Sequence, residues 1–435
     1  MDRVQSVGAI RGEAFHAEWY APPMRVALVG VFAMMAAGGV RPQDNVAPGG
    51  DARVQAALAA IDKTEPATIA AQMRLCEVPA PPFGERARAM VVRDMLQAAG
   101  LKHVRLDREG NVIGERPGRS PRPNVVLAAH LDTVFPEGTD VKVTRNGAVL
   151  RGPGIGDNCR GLAVLAAVAG ALDAAAVETD GSLTFVATVG EEGLGDLRGA
   201  KALVAETLKG RIDYFVALDG SGSSITNVGV GSRRYRIAFR GAGGHSYSNF
   251  GRASPVNALG RAISLIADIQ VPGSPRTTFS VGRIGGGTAV NAIPEEAWME
   301  VDLRSVDKAA LAQLDRSVQQ IVKQAVSTEN ARWKQNDAVT VTIEPVGDRP
   351  GGRTDESARI VQAALAASKT VGFAARLVEN STDANVPMQL GIPAIAIGAG
   401  GTGTDAHSLA ETFVTTNSAR GTARALLLMV SLSRR

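Results

Sequence analysis

Five side chains that can ligate a metal ion are spaced along the chain, and each follows an apolar run or lies in a glycine-rich turn. They comprise two imidazoles and three carboxylates: His130, Asp157, Glu192, Asp219 and His407. This set suits two zinc ions, each with one histidine, one terminal carboxylate and a share of a bridging carboxylate. The two cysteines, Cys76 and Cys159, form no CxxC pair, so a metal must bind through His, Asp and Glu.

Two of these candidates also have a simpler explanation when each is considered alone. His130 and Asp132 form the triplet HLD, and strand alternation puts both side chains on one face, where the carboxylate can orient the ring. Such a triplet is more often structural. Asp157 lies just before an apolar helical segment, where a carboxylate is more often an N-cap than a bridging ligand.

Adjacent carboxylates at Glu191 and Glu192 end another apolar run. Neighbouring carboxylates repel each other, and a fold tolerates them best when a cation lies beside them. If Glu192 binds metal, Glu191 is free to deprotonate a water molecule and later protonate a leaving amine. Metal-assisted hydrolysis is therefore the predicted chemistry.

The elements that must position these groups follow the pattern of an α/β sheet. Four apolar runs are predicted strands that end in acidic or glycine-rich turns: 125–134, 182–192, 214–220 and 393–400. Helical spacing is found over 53–76, 86–100 and 161–175. This pattern predicts a mixed, mostly parallel sheet with helices on its faces, and active groups gather at the carboxyl ends of such strands.

A different rhythm interrupts this domain at residues 231–344. Predicted strands and helices follow the order β-α-β-β-α-β of a ferredoxin-like unit, with helices over 255–270 and 307–326. We therefore expect a catalytic domain formed by 53–230 and 345–435, with 231–344 inserted as an α+β lid domain.

The first 52 residues are predicted to be a leader and linker. The segment 24–39 has one arginine, an apolar run and then small residues, which is the layout of a signal peptide. If this segment acts as a signal peptide, the protein is exported to the periplasm or secreted. Otherwise we expect it to be cytoplasmic.

Five motifs in a fixed order carry a family resemblance: HLDT, GDNCRG, GEEGLGD, ALDG and AHS. Over roughly 66–432 the chain resembles the aminoacylase, carboxypeptidase G and tripeptide aminopeptidase family of dinuclear zinc metallopeptidases. The resemblance implies an α/β zinc-hydrolase domain with an inserted ferredoxin-like lid. It also implies that the five residues named first are metal ligands, that Glu191 is the general base and that Asp132 supports His130.

The lid carries further marks of this family at His245, Asn291 and Arg304. The resemblance implies that the histidine stabilises the oxyanion, in some relatives across a dimer, and that Asn291 and Arg304 bind the substrate carboxylate. The physical chemistry agrees, because arginine suits bidentate carboxylate recognition and an imidazolium can offset developing negative charge. We expect a homodimer formed through the lid domain.

The substrate class remains open between two amides. The aminotripeptidase branch has Asp where this chain has Asp219, whereas carboxypeptidases and deacylases often have Glu, which favours a peptidase T-like enzyme acting on short peptides. An N-acyl amino acid deacylase or carboxypeptidase with the same metals is the alternative. A catalytically inactive binding protein is a third hypothesis, but a dead relative has no need of a desolvated acid cluster.

Some features depart from the family pattern or suggest other functions. Cys159 and Arg160 replace the common lysine-containing sequence after Asp157, and we expect the thiol to fill a small buried space. Cobalt or manganese would accept the same ligands as zinc. The net charge of +4 is spread along the chain, so nucleic-acid binding is not predicted. GAGGTG at 398–403 lacks the helix that a dinucleotide fingerprint needs, and DGSGSS lacks a serine-hydrolase elbow.

Overall fold

The central feature of the fold is a nine-stranded mixed sheet with a parallel centre. The computed structural model describes residues 50–333 and 337–434. Strands numbered in chain order lie side by side as β1 (Lys102–Leu106), β2 (Val112–Arg116), β6 (Ser182–Thr188), β3 (Asn124–His130), β7 (Tyr214–Leu218), β17 (Ala394–Ile397), β8 (Ile225–Gly229) and β15 (Gly352–Arg353). The short β16 (Leu377–Asn380) pairs with β8. Strands β6, β3, β7 and β17 are parallel, which confirms the predicted α/β fold class.

Helices cover both faces of this sheet. One face packs against α1 (Ala52–Cys76), α2 (Arg86–Ala98), α3 (Cys159–Ala174), α7 (Arg359–Thr370) and α9 (Ala419–Ser433). The other face packs against the short α4 (Arg198–Ala202), the π-helical turn Leu203–Thr207 and α8 (Asn385–Gln389). Every residue of β3 is buried, since the strand is covered on both faces, and its residues between Asn124 and His130 are all apolar. The predicted strand 125–134 ends at His130.

An antiparallel sheet forms a separate layer, in the order β11 (Thr277–Gly286), β13 (Glu296–Ser305), β9 (Gly231–Arg240) and β14 (Thr340–Arg349). Helices α5 (Pro255–Ala267) and α6 (Lys308–Arg332) pack on the buried face of this sheet. Buried and half-buried residues alternate along all of β13, as in a strand with one covered face. A small two-stranded antiparallel sheet of β10 (Gly244–His245) and β12 (Ala292–Ile293) lies beside this sheet. We call residues 231–349 the lid.

A third, smaller sheet supports the last predicted metal ligand. Its order is β18 (Thr402–Thr404), β19 (Thr412–Val414), β5 (Val149–Arg151) and β4 (Thr144–Asn146). The loop between β18 and β19 contains His407, and the chain that follows β5 leads to Asp157. This sheet therefore joins two ligands that are far apart in sequence.

The chain crosses between the large sheet and the lid twice, at residues 229–231 and 349–352. The crossings run side by side, because Gly352 pairs with Gly229 in an antiparallel register. The side-chain amide of Asn385 donates to Val230 O at 3.0 Å and to Pro350 O at 2.9 Å. One fully buried asparagine of α8 therefore fastens both crossings.

A buried arginine fixes the start of α3. Arg160 donates through Nε to Ala399 O at 3.2 Å and through Nη2 to Ser418 O at 2.8 Å. Its Nη2 also lies 3.0 Å from Glu65 Oε1 of α1. The neighbouring Cys159 is fully buried beside Cys76, as a space-filling thiol would be. Arg160 thus connects α1, α3 and the loop after β17.

Within the part of the chain that the structure describes, no helix has the length and apolar character needed to cross a membrane. The predicted signal segment 24–39 lies outside the described residues.

We predict that Arg160→Met destabilises the fold by about 3–5 kcal/mol, because it leaves the partly buried Glu65 carboxylate and two carbonyls without their cation. Urea denaturation of the variant measures this loss in free energy of unfolding. The matched control is Arg53→Ala, which breaks the exposed pair with Glu178 and should cost less than about 1 kcal/mol. Equal losses in the two variants would contradict a structural role for Arg160.

Candidate metal centre

The carboxyl ends of three adjacent parallel strands bring four of the predicted site residues to one edge of the sheet. His130 is the last residue of β3, Asp219 follows β7 directly, and the pair Glu191 and Glu192 follows β6 after a short turn. Because β6, β3 and β7 are hydrogen-bonded neighbours, their ends meet. The sheet topology thus explains why acids separated along the sequence share one pocket.

Asp157 lies at the centre of this pocket between two histidines. Its Oδ1 is 3.0 Å from His130 Nε2, and its Oδ2 is 3.2 Å from His407 Nε2. His407 Nε2 is also 3.0 Å from Glu192 Oε1. One carboxylate therefore presents an oxygen to each imidazole, which is the geometry of a ligand shared by two ions.

Three groups of candidate ligands occur among the described residues, each with its donor atoms within 4.8 Å of one another: His130, Asp157 and Asp219; Asp157, Glu192 and His407; His130, Glu191 and Glu192. The first two groups share Asp157. Each contains one imidazole nitrogen and carboxylate oxygens, a donor set that suits zinc. These residues fit two divalent ions with Asp157 between them.

Asp132 supports the pocket in a different way from the one its spacing suggests. Its carboxylate accepts from the backbone N–H of Glu191 at 2.9 Å and of Glu192 at 2.7 Å. The Nδ1 of His130 lies 3.0 Å from Asp132 O and 3.7 Å from Asp132 Oδ1. The backbone carbonyl therefore orients the ring, with the Nδ1 proton assigned from this contact, and the carboxylate holds the acidic loop.

Burial of several acids makes the pocket electrostatically strained. Burial raises the pKa of Asp219 to about 7, and the negative charge of Asp157 adds to this effect. Burial also raises the pKa of Asp132 to about 6, although His130 and two backbone N–H groups oppose it. The pKa of Glu191 is raised by burial against the positive charge of Arg349. A divalent cation would stabilise the ionised forms of all three.

Protons and metal ions compete for the imidazole nitrogens. Hydrogen bonds with Asp157 and Glu192 raise the pKa of His407 to about 10. Burial alone would raise the pKa of Asp157, but hydrogen bonds with His130 and His407 outweigh it and hold that pKa below its usual range. In the metal-free protein His407 is therefore protonated at neutral pH, and a metal ion must displace that proton.

Glu411 is a functional residue that the sequence analysis missed. Its buried carboxylate accepts from the N–H groups of Gly154, Gly156 and Asp157 at 2.7, 2.8 and 3.0 Å. These three bonds hold the turn that presents the Asp157 carboxylate to both histidines. The signal available in the sequence was its position four residues after His407, within AHSLAE.

Two more residues at the site were also missed. Arg349 Nη1 donates to Glu191 Oε1 at 3.2 Å, and both side chains are buried. Asp383 is buried and accepts a hydrogen bond from Thr188, the last residue of β6. Neither GDRPGG nor STDAN has a spacing that points to this pocket, because both segments reach it only through the fold.

The lid residues named from sequence occupy two places. Ser246 N donates to Asn291 O at 2.9 Å, so His245 and Asn291 lie together at the two-stranded β10–β12 sheet. His245 Nδ1 accepts from Tyr247 N at 3.2 Å, which leaves Nε2 as the donor of a neutral ring. Arg304 lies near the other end of β13.

The length of β13 separates these two places. Glu296 pairs with Arg240 next to the β10–β12 sheet, and Arg304 pairs with Ser232 next to the crossings. Eight residues of extended strand span about 26 Å. The structure therefore does not bring His245 and Asn291 to Arg304 within one chain.

A cavity of about 230 Å³ lies where the Arg304 end of the lid faces the large sheet. Arg304 makes an ion pair with Asp302 at 2.6 Å, and Arg234 pairs with the same aspartate at 3.0 Å. Arg234 Nη1 also donates at 2.7 Å to Gly193 O, one residue after Glu192. The cavity is lined by polar groups from both layers, two of them guanidinium groups and one a carboxylate: Arg276, Thr278, Arg304, Glu379, Asn380 and Ser381. Its guanidinium groups can hold a carboxylate.

Comparison with curated proteins gives relatives that include a desuccinylase and a dipeptidase. Residues 126–431 match the model of peptidase family M20/M25/M40. The protein YqjE of Bacillus subtilis is 28% identical over 67% of this chain and 76% of its own length. A succinyl-diaminopimelate desuccinylase of Corynebacterium glutamicum is 26% identical over 53% and 64%, and the cytosol non-specific dipeptidase of Escherichia coli is 25% identical over 58% and 56%.

Solved structures share the fold over most of the chain. A tripeptidase of Staphylococcus aureus superposes with a TM-score of 0.71 at 21% identity, covering 85% of this chain and 99% of its own. The aminopeptidase PepT of Bacillus cereus gives 0.68 at 21% identity, with 85% and 99% covered. YXEP of Bacillus subtilis, a dinuclear metal-binding peptidase, gives 0.61 at 19% identity, with 85% and 98% covered.

These matches confirm the family resemblance carried by the five sequence motifs. The family model covers well over half of the chain, from within β3 of the metal pocket to α9. The chain belongs to peptidase family M20/M25/M40 and is a metal-dependent hydrolase of that family.

Proposed function

We propose that this protein hydrolyses amide bonds of short peptides at a centre of two zinc ions, with Glu191 as the general base. The observation that carries the proposal is the position of Asp157, whose two oxygens each face one imidazole. A carboxylate so placed can serve both ions at once, as the cocatalytic two-metal arrangement requires.

Each ion would have its own terminal ligands. His130 and Asp219 would hold the first ion, and His407 and Glu192 the second, with Asp157 shared. When bound, the two ions would polarise the scissile carbonyl and lower the pKa of the attacking water. Cobalt or manganese would accept the same donors.

Glu191 is suited to carry the proton through the reaction. Asp132 holds its backbone N–H, and Arg349 holds one carboxylate oxygen at 3.2 Å. The carboxylate takes a proton from the water as its oxygen bonds to the carbonyl carbon. It then gives that proton to the amide nitrogen as the C–N bond breaks, so that a carboxylic acid and an amine are formed.

The substrate carboxylate is proposed to bind at Arg304. The guanidinium lines the cavity between the lid and the large sheet, and it shares Asp302 with Arg234, which donates to Gly193 O of the acidic loop. A short peptide with a free carboxyl end would meet both Arg304 and the metal pocket. N-acyl amino acids are the second candidate, because one relative is named a succinyl-diaminopimelate desuccinylase.

We further propose that the active unit is a homodimer joined through the lid, predicted from sequence as residues 231–344. Within one chain, His245 and Asn291 lie near the Glu296 end of β13, and about 26 Å of strand separates Glu296 from Arg304. A second copy could supply its His245 Nε2–H to the oxyanion and its Asn291 to the substrate carboxylate. The separation supports a site that is complete only across two subunits.

The first prediction concerns the substrate. Zinc-loaded protein should hydrolyse di- and tripeptides with higher kcat/KM than N-acetyl or N-succinyl amino acids, because two peptide ends give more contacts than one carboxylate. Removal of metal with a chelator should abolish turnover, and added zinc should restore it. Faster turnover of the acylated amino acids would favour the second candidate. Absence of turnover of both classes by metal-loaded protein would reject the proposal.

The second prediction concerns the general base. Glu191→Gln should retain two zinc ions per chain but lose about 10²–10⁴-fold in kcat, because an amide cannot accept the proton. Metal analysis and steady-state kinetics measure the two effects separately. The exposed Glu206, which is outside the pocket, provides the control variant Glu206→Gln with unchanged kcat. A fully active Glu191→Gln enzyme would remove Glu191 from its proposed role.

The third prediction tests the shared site. A dimer in which both subunits carry His245→Ala should lose about 10²–10³-fold in kcat, as expected for loss of an oxyanion donor. Co-expression with Glu191→Gln under two affinity tags yields mixed dimers in which one site combines both intact residues, so purified mixed dimers should recover about half of the wild-type kcat. If mixed dimers are no more active than either parent, His245 does not act across the interface.

A further inference from the structure

Arg349 belongs to the lid by its backbone and to the metal pocket by its side chain. It is the last residue of β14 and pairs with Ser232 in the lid sheet. The next residue, Pro350, lies in the second crossing, where Asn385 fastens the chain. Yet the Arg349 side chain is only 5% exposed and points into the pocket at the end of β6.

The guanidinium grips two parts of one residue. Nη1 donates to the Glu191 carboxylate at 3.2 Å, and Nη2 donates to the Glu191 carbonyl oxygen. Nη1 also lies 3.3 Å from Ser381 Oγ. A planar fork that holds both the side chain and the backbone of Glu191 limits rotation about the bonds between them.

The Glu191 carboxylate needs such a support. Its neighbours include the acidic side chains of Glu192 and Asp219, whose charges repel it. Among the described residues, Arg349 is the one side chain found in hydrogen-bond contact with the Glu191 carboxylate. The preceding Gly190 has a φ of 64°, in the left-handed region that favours glycine, and it contributes no side chain that could support the turn.

We propose that Arg349 is a positioning residue that fixes the Glu191 carboxylate for proton transfer and ties its position to the lid. This inference rests on the proposed role of Glu191. Because Arg349 lies where the lid sheet enters the second crossing, its guanidinium joins the lid backbone directly to the Glu191 carboxylate and carbonyl.

Arg349→Ala tests this role. We expect kcat for the best peptide to fall about 100-fold, the scale of loss from a misplaced catalytic group, while KM changes less than about threefold. Two zinc ions per chain should be retained. Added guanidinium ion should restore part of kcat to Arg349→Ala and none to Glu191→Gln, because it can refill the space left by the arginine but cannot replace the base.

Arg353→Ala is the matched control, since Arg353 is an exposed arginine in β15, four residues along the chain. It should keep wild-type kcat. If Arg349→Ala does not fold, Arg349→Lys carries the test: one ammonium group cannot hold both the carboxylate and the carbonyl, so kcat should fall at unchanged KM and metal content.

The proposal is overturned if a folded Arg349→Ala or Arg349→Lys enzyme keeps wild-type kcat, if lost zinc accounts for the loss, or if guanidinium rescues nothing. These outcomes are distinct from failure of the proposed function, in which the wild-type enzyme would not hydrolyse peptides or Glu191→Gln would remain active.

Discussion

Burial of several carboxylates in one pocket, together with their mutual repulsion, is the constraint on which this structure depends. The ends of β3, β6 and β7 concentrate acids in one pocket, where burial alone would favour their neutral forms. The fold answers with fixed donors: backbone N–H groups for Asp132 and Glu411, imidazoles for Asp157, and a guanidinium for Glu191. What these donors leave uncompensated is the charge that two divalent ions would bind. The same uncompensated negative charge thus makes the pocket costly to fold without metal and would give it affinity for divalent ions.

The sequence predicted what depends on local order and missed what depends on long-range contact. Acids at strand ends could be grouped because parallel strands share an edge, and the β-α-β-β-α-β order of the lid follows from runs of apolar residues. Arg349 and Asp383 carry no such mark, and Glu411 is marked only by its position four residues after His407. Each reaches the pocket from an element whose position is fixed by tertiary packing. For Asp132 the spacing suggested contact with the His130 ring, but a strand that ends at His130 turns that carboxylate towards the next loop.

The length of β13 separates the two ends of the lid. Near the Arg304 end, Arg234 contacts the acidic loop of the same chain at Gly193 O, whereas the His245 end lies about 26 Å away along the strand. The continuous pairing of β13 with β9 keeps these ends apart. In the proposed site they act together only when a second copy supplies the His245 end, so substrate binding and dimer assembly would be linked.

Discrimination between peptides and acylated amino acids must lie away from the metal ligands. In the proposed reaction the metal ligands would act, through the bound ions, on the amide group that both substrate classes share, and named relatives of this chain include a dipeptidase and a desuccinylase. The cavity beside Arg304 differs in character, since it joins guanidinium groups of the lid to Asn380 and Ser381 of the large sheet. Ser381 also contacts Arg349, which holds the Glu191 carboxylate. In the proposed mechanism, a substrate bound in that cavity would therefore act on the position of the base through Ser381 and Arg349.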